Sequence, residues 1–121
     1  MITHPRTEEL ARSVAMWIDE IRPSLDPRNA FLARVASNAM ATIGRELTLG
    51  PAAEAEAVAG MASVLGHHGA FTDLNTELCA RIRAGEFTVE TPGLLTILTA
   101  IAQNQIAIDQ PSYRPEGTPP P

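Results

Sequence analysis

Three kinds of side chain in this 121-residue sequence have the chemistry to act on or hold another molecule: histidine, cysteine and closely spaced carboxylates. Histidine is the commonest metal ligand and titrates near neutrality, which makes the adjacent pair His67-His68 the first candidate. Neither stands four residues from a second ligand, as paired zinc ligands on a helix do, and His4 lies near the start of the chain. Gly66 and Gly69 bracket the pair, so it reads as a solvated loop or a helix C-terminal cap. Cys79 is the only cysteine, which excludes an intramolecular disulfide. A nucleophilic thiol needs a histidine partner and an electropositive setting, and neither is visible beside it, so Cys79 reads as a small apolar side chain in a helix.

The carboxylates Glu54 and Glu56, or Asp73 and Glu77, have the type needed for acid–base work or for a metal. Diiron bundles require glutamate followed three residues later by histidine, and no such pattern occurs. Asp73, Glu77 and Arg81 at four-residue steps are a charge-paired helix face, and Arg81 with Arg83 opposes the negative end of that helix's dipole. All nine basic residues are arginine, so Schiff-base and other lysine chemistry is excluded. Glycine-rich phosphate loops, Gly-x-Ser-x-Gly and Cys-x-x-Cys are absent too. The residues therefore assign no catalytic group, no cofactor and no metal.

Polar residues set in apolar helices are more informative. Asn38 lies between Val35 and Ala39, and Gln103-Asn104-Gln105 interrupts an apolar run between Ile101 and Ile106. A polar group facing a core costs a few kcal/mol unless it is hydrogen-bonded, so these side chains should join a network or face a partner. Arg34 and Arg28, four and ten residues before Asn38, can share its surface. Arg28, Arg34, Asn38, Gln103 and Asn104 are thus the candidate interface or pocket.

These residues need helices to position them. Leu10, Val14, Trp17, Ile18, Ile21 and Leu25 mark one helical face over residues 7–25, with Pro23 loosening the last turn. Asp26-Pro27 is a cap followed by a first-position proline, opening a second helix with a broad stripe of Phe31, Leu32, Val35, Ala36, Ala39, Met40, Ile43 and Leu47. The width of the stripe predicts burial between two or more neighbours. Gly50 should end this helix and Pro51 start an alanine-rich third, with Ala55, Val58, Ala59, Ala62 and Leu65 facing inward. A fourth helix is expected over residues 72–84, with Gly85 as its stop. A fifth should open at Thr91-Pro92 and run to Asp109, burying Leu94, Leu95, Leu98, Ile101 and Ile108. No sustained two-residue alternation occurs, so the expected fold is all-α, a compact bundle of four to five antiparallel helices.

Length and composition fit one soluble domain, residues 5–110, followed by an extended or disordered tail, 111–121, that holds five prolines. With a formal net charge of -5, neither nucleic acid nor an anionic membrane is the expected partner. A helix-turn-helix reading of the third and fourth helices fails on the same ground, because Asp73 and Glu77 offset Arg81 and Arg83. No secretory signal or membrane span is evident, so the expected location is cytoplasmic.

The run Asn29-Ala30-Phe31-Leu32-Ala33-Arg34-Val35-Ala36-Ser37-Asn38-Ala39, then Arg45-Glu46-Leu47 and Gly50-Pro51, resembles an uncharacterised bacterial family of small helical proteins, domain of unknown function 6285. The stretch from Leu74 through Gly85 and the closing Ala107-Ile108-Asp109-Gln110-Pro111-Ser112-Tyr113 resemble it too. Members are typically encoded beside acyl-CoA dehydrogenases and aminoglycoside-phosphotransferase-like kinases. The resemblance therefore implies an accessory role in acyl-CoA or lipid-related metabolism, without established catalytic residues to transfer. The family's basic residue in the last helix is replaced here by neutral Gln103 to Gln105. Three functional expectations follow: a non-catalytic subunit that binds a kinase-like or dehydrogenase enzyme; a small-ligand protein or enzyme with a pocket of Arg34, Asn38 and Asn104 between the second and fifth helices; or a homodimer packed through the alanine-rich helix.

Overall fold

The computed structural model describes residues 3–117. Its elements are α1 (Thr7–Ile21), a 3-10 turn (Arg22–Ser24), α2 (Pro27–Leu65), α3 (Phe71–Arg83) and α4 (Leu94–Asp109). Among the described residues there is no strand, and no helix is long and apolar enough to cross a membrane. The all-α expectation holds, whereas several helix boundaries differ.

The starts of α1 and α2 follow from their caps. Glu9 Oε2 accepts the Arg6 backbone N–H at 2.8 Å, and Asp26 Oδ1 accepts the Asn29 N–H at 3.1 Å, so each carboxylate satisfies a donor at a helix entrance. Pro23 tightens the chain after α1 into the 3-10 turn.

The expected break at Gly50-Pro51 does not occur, and α2 runs through both residues. Proline disfavours helical backbone in the residue before it, partly through that residue's Cβ, and glycine has none. Pro51 is thus accommodated inside α2, at the loss of one backbone hydrogen bond, rather than starting a new helix. The last helix also starts later than expected. Thr91 Oγ1 accepts the Thr88 N–H at 2.9 Å instead of capping, and Gly93, at φ +80°, leads the chain into α4 at Leu94. Residues 111–117, in the stretch expected to be extended or disordered, are exposed and carry local turns without a helix. Tyr113 N–H donates to Gln110 O at 2.9 Å, and the Arg114 guanidinium donates to the carbonyls of Pro111 and Tyr113. Residues 118–121 of that tail lie outside the described residues.

The chain divides at Gly50 and Pro51 into two compact units. In the first, α1 and the opening part of α2 run antiparallel. Ser37 Oγ donates to Ala15 O at 3.3 Å, and a methyl on Gly44 would lie 3.9 Å from Ala11 Cβ. Small side chains along this line let the two helices approach closely. The contact is narrow, however: among the described residues of this unit only Ala11, Ala15 and Ser37 are buried. Leu10, Val14 and Trp17 on α1, and Phe31, Leu32, Val35, Ile43 and Leu47 on α2, are exposed, which overturns the burial expected for the broad stripe. Two helices touch along one line each, so a wide apolar stripe needs a third surface that this unit does not contain.

The second unit has a proper core. Met61, Leu74 and Leu78 are fully buried and pack with Ala57, Ala62, Leu65 and Leu94, each large side chain contributing about 1.5–3 kcal/mol. The final part of α2 pairs antiparallel with α4: Asn104 Nδ2 donates to Glu56 Oε2 at 2.9 Å, and Val64 lies against Gly93. Between those points Gly60 lies so close to Ile97 that a methyl group there would overlap its side chain. The inner face of the alanine-rich stretch is rotated from expectation, with Ala57, Met61 and Ala62 inside and Ala55 and Ala59 exposed. On α4, Ile97 takes the buried position expected of Leu95, which is exposed. A helix-period pattern that is apolar nearly all round leaves the buried side to be decided by packing.

Candidate functional site

The two flanks of the first unit differ in that the charged side chains gather on one of them, among apolar ones that include Met16 and Leu49. On α1, Ala11 and Ala15 mark the line of contact, and on α2 Ser37 and Gly44 do so. At 100° per residue, Glu8, Arg12 and Asp19 of α1 turn to one side of that line, as do Asn38 and Arg45 of α2. Together with Thr48, and with the apolar Met16, Met40 and Leu49, they line an open groove of about 450 Å³ floored by Ala15, Ala41 and Gly44. Arg45 Nη2 donates to Thr42 Oγ1 at 3.1 Å, and Thr42 Oγ1 donates in turn to Asn38 O at 3.0 Å. At the groove's end Glu8 pairs with Arg6 at 3.1 Å. Beside it, the Arg6 backbone N–H, followed by the Arg6 charge, holds the Glu9 carboxyl below its ordinary value. The groove offers donors and acceptors of both charges and lacks a cysteine, histidine or lysine nucleophile among its lining residues.

The opposite flank is apolar. Leu10, Val14, Trp17 and Ile21 recur on α1 at steps of four, three and four, and Leu32, Ala36, Ile43 and Leu47 lie on the matching side of α2. Six of these, Leu10, Val14, Trp17, Leu32, Ile43 and Leu47, are 39–59 % exposed. An isolated exposed leucine is ordinary, whereas a contiguous apolar face spread over two helices marks a place where another surface binds.

The sequence candidates fall into separate surroundings. Asn38 lines the polar groove. Arg34 lines a different hollow of the first unit, with Arg22, Pro23, Leu25, Ala30 and Phe31. Arg28 is exposed in the first turn of α2. In the second unit Asn104 bonds Glu56, Gln105 Nε2 donates to Asp109 Oδ2 at 2.7 Å, and Gln103 is exposed. Cys79 is half-buried on α3, beside the core residue Leu78.

Sequence reasoning found the Glu77–Arg81 pair, 2.7 Å between Oε1 and Nη2, but missed its third member. His67 Nε2 lies 2.6 Å from Glu77 Oε2, and His67 Nδ1 lies 3.0 Å from the His68 carbonyl. A ten-residue separation across a loop leaves no periodic signal. Arg81 in turn lies over the Phe87 ring at 5.4 Å and 3.9 Å from Glu86, fixing the far side of the cluster. A backbone carbonyl and an ionised carboxylate only accept hydrogen bonds, so both His67 nitrogens are placed to donate and the imidazolium is the form that fits. The His68 carbonyl first, and then Glu77, raise the His67 pKa above its ordinary 6.5. Among the described residues no group of three or more His, Cys, Asp or Glu is placed to hold a metal ion.

The sign of the pH dependence follows. The folded chain holds the His67 proton more tightly than the unfolded chain does, so the link contributes fully below the unfolded value and fades as pH rises through the raised folded value. NMR titration should place the His67 pKa above 6.5, and Glu77→Gln should lower it. A value at or below 6.5 in the native protein would mean that the imidazolium link does not form.

With this geometry in place, comparison with known proteins adds one positive result. A family model described as Domain of unknown function (DUF6285) matches residues 23–113. No curated protein and no solved structure matches the chain.

Proposed function

The chain belongs to the DUF6285 family, and on that premise we propose that it is a non-catalytic accessory subunit that binds a protein partner through the apolar flank of its first unit. The observation carrying this reading is that flank: large aliphatic side chains and the only tryptophan are held on two helices with water in front of them. Trp17 has the character of a binding anchor, being large, rigid and enriched at interface centres. The partner is an enzyme of acyl-CoA or lipid-related metabolism, of the phosphotransferase-like kinase or acyl-CoA dehydrogenase class. The family resemblance supplies that class. The working location is the cytoplasm.

The test is co-purification of the tagged chain with each of the two enzymes. Wild type should retain one of them, and Trp17→Glu should release it. A monodisperse chain that retains neither enzyme overturns the reading. A second reading, a small-ligand protein, draws on the polar groove, which contains Asn38 but neither Arg34 nor Asn104. It requires a thermal shift with acyl-CoA or phosphorylated metabolites that Asn38→Ala removes.

A further inference from the structure

We infer that the hollow lined by Arg22, Pro23, Leu25, Ala30, Phe31 and Arg34 binds a small phosphate monoester carried on an apolar or aromatic body. The hollow shares no lining residue with the polar groove and none with the apolar flank, so this site stands or falls apart from both readings above.

Charge is the first argument. The chain has a formal net charge of -5, yet the side chains around this hollow include two guanidiniums and no carboxylate. Different elements bring them there, the 3-10 turn after α1 carrying Arg22 and α2 carrying Arg34. Residues 22–34 hold Arg22, Arg28 and Arg34 against Asp26 alone, and Asp26 Oδ1 is occupied in capping α2 through the Asn29 N–H. Arg34 makes no ion pair among the described residues. Arg22 meets Asp19 only at 3.6 Å, longer than a hydrogen bond. Two guanidiniums left in this state match the charge of about −1.5 to −2 that a phosphate monoester carries near pH 7, whereas a carboxylate would balance one of them. Their planar forks also suit the tetrahedron of oxygens that a phosphate presents.

The rest of the wall selects what bears the phosphate. Pro23, Leu25 and Ala30 are apolar, and the Phe31 side chain is 65 % exposed. Phe31 and Arg34, three residues apart on α2, are neighbours on one helix face, which sets an aromatic ring beside a cation. A ligand whose anionic end meets the arginines therefore finds a ring and aliphatic carbons for its body. The hollow holds about 530 Å³, inside the roughly 300–1,000 Å³ typical of small-molecule sites.

The test is an NMR titration of the full chain with phenyl phosphate, which should move the amide signals of residues 22–34. Inorganic phosphate, which lacks the ring, and benzoate, which has one charge, should each bind about tenfold more weakly. That comparison uses the wild-type chain and needs no variant. Arg22→Gln and Arg34→Gln should each weaken phenyl phosphate by about tenfold, the lower end for losing a charge-assisted hydrogen bond. Phe31→Ala should reduce its affinity to that of inorganic phosphate. Arg12→Gln removes the same charge from the polar groove and should change nothing. Signals of residues 22–34 that stay in place at millimolar phenyl phosphate overturn the inference. So does an equal loss with Arg12→Gln, which would mean attraction to charge without a site.

Discussion

Leu74→Ala should remove about 2–5 kcal/mol from the stability of the second unit, the range for deleting a fully buried leucine side chain. Leu74 is 1 % exposed, lies at the entrance of α3 and belongs to the core cluster with Met61 and Leu65. Its Cδ2 also lies 3.2 Å from where a methyl on Gly69 would stand, so it covers the loop that joins α2 to α3. The cavity is therefore flanked on one side by that loop. Some collapse is available, which favours the middle of the range over its upper end. Urea unfolding followed by circular dichroism measures the loss. Trp17 fluorescence reports from the first unit and separates the two responses. A loss below about 1 kcal/mol would mean that Leu74 is not part of a close-packed core.

Pro51→Ala should stabilise the protein by about 1–3 kcal/mol, because an interior proline is about 3 kcal/mol less favourable than alanine and alanine's freer unfolded chain returns part of that gain. The substitution restores the N–H that can reach the Leu47 carbonyl and removes the ring that crowds it. Thermal or urea midpoints measure the gain. The experiment also separates two arrangements of the same residues. If a helix ended at Gly50 and another began at Pro51, proline would occupy its preferred first position and alanine would be neutral or worse. A stability loss for Pro51→Ala would thus argue for two helices, and a gain for one continuous α2.

The accessory-subunit proposal turns on an imbalance between the two units. The second unit encloses Met61, Leu74 and Leu78, whereas the first encloses two alanines and a serine and leaves its large apolar residues outside. Marginal units of this kind gain most from a partner, because apolar surface still facing water has its contribution to stability yet to make.

How much was legible beforehand depended on whether the signal was local. The all-α class, the Asp26-Pro27 start, the loop around His67 and the Glu77–Arg81 pair follow from composition, caps and four-residue steps, each acting within about one helical turn. Gly50-Pro51 misled because the usual meaning of proline after glycine is a boundary. Glycine's missing Cβ made continuation sterically possible, and only the structure shows which outcome prevails. The same limit governs the stripe on α2. Its period correctly identifies a helix, but the number of neighbours is a tertiary fact, and the exposure of Leu32, Ile43 and Leu47 could not be read from spacing. His67 meeting Glu77, Asn104 meeting Glu56 and Ala11 meeting Gly44 likewise join residues far apart in the chain. Residue types and local backbone geometry were enough for the all-α class, the absence of lysine chemistry and the acidic balance. Which faces meet and which face water became visible in the folded chain alone, because that depends on the few directions in which each helix finds another to pack against.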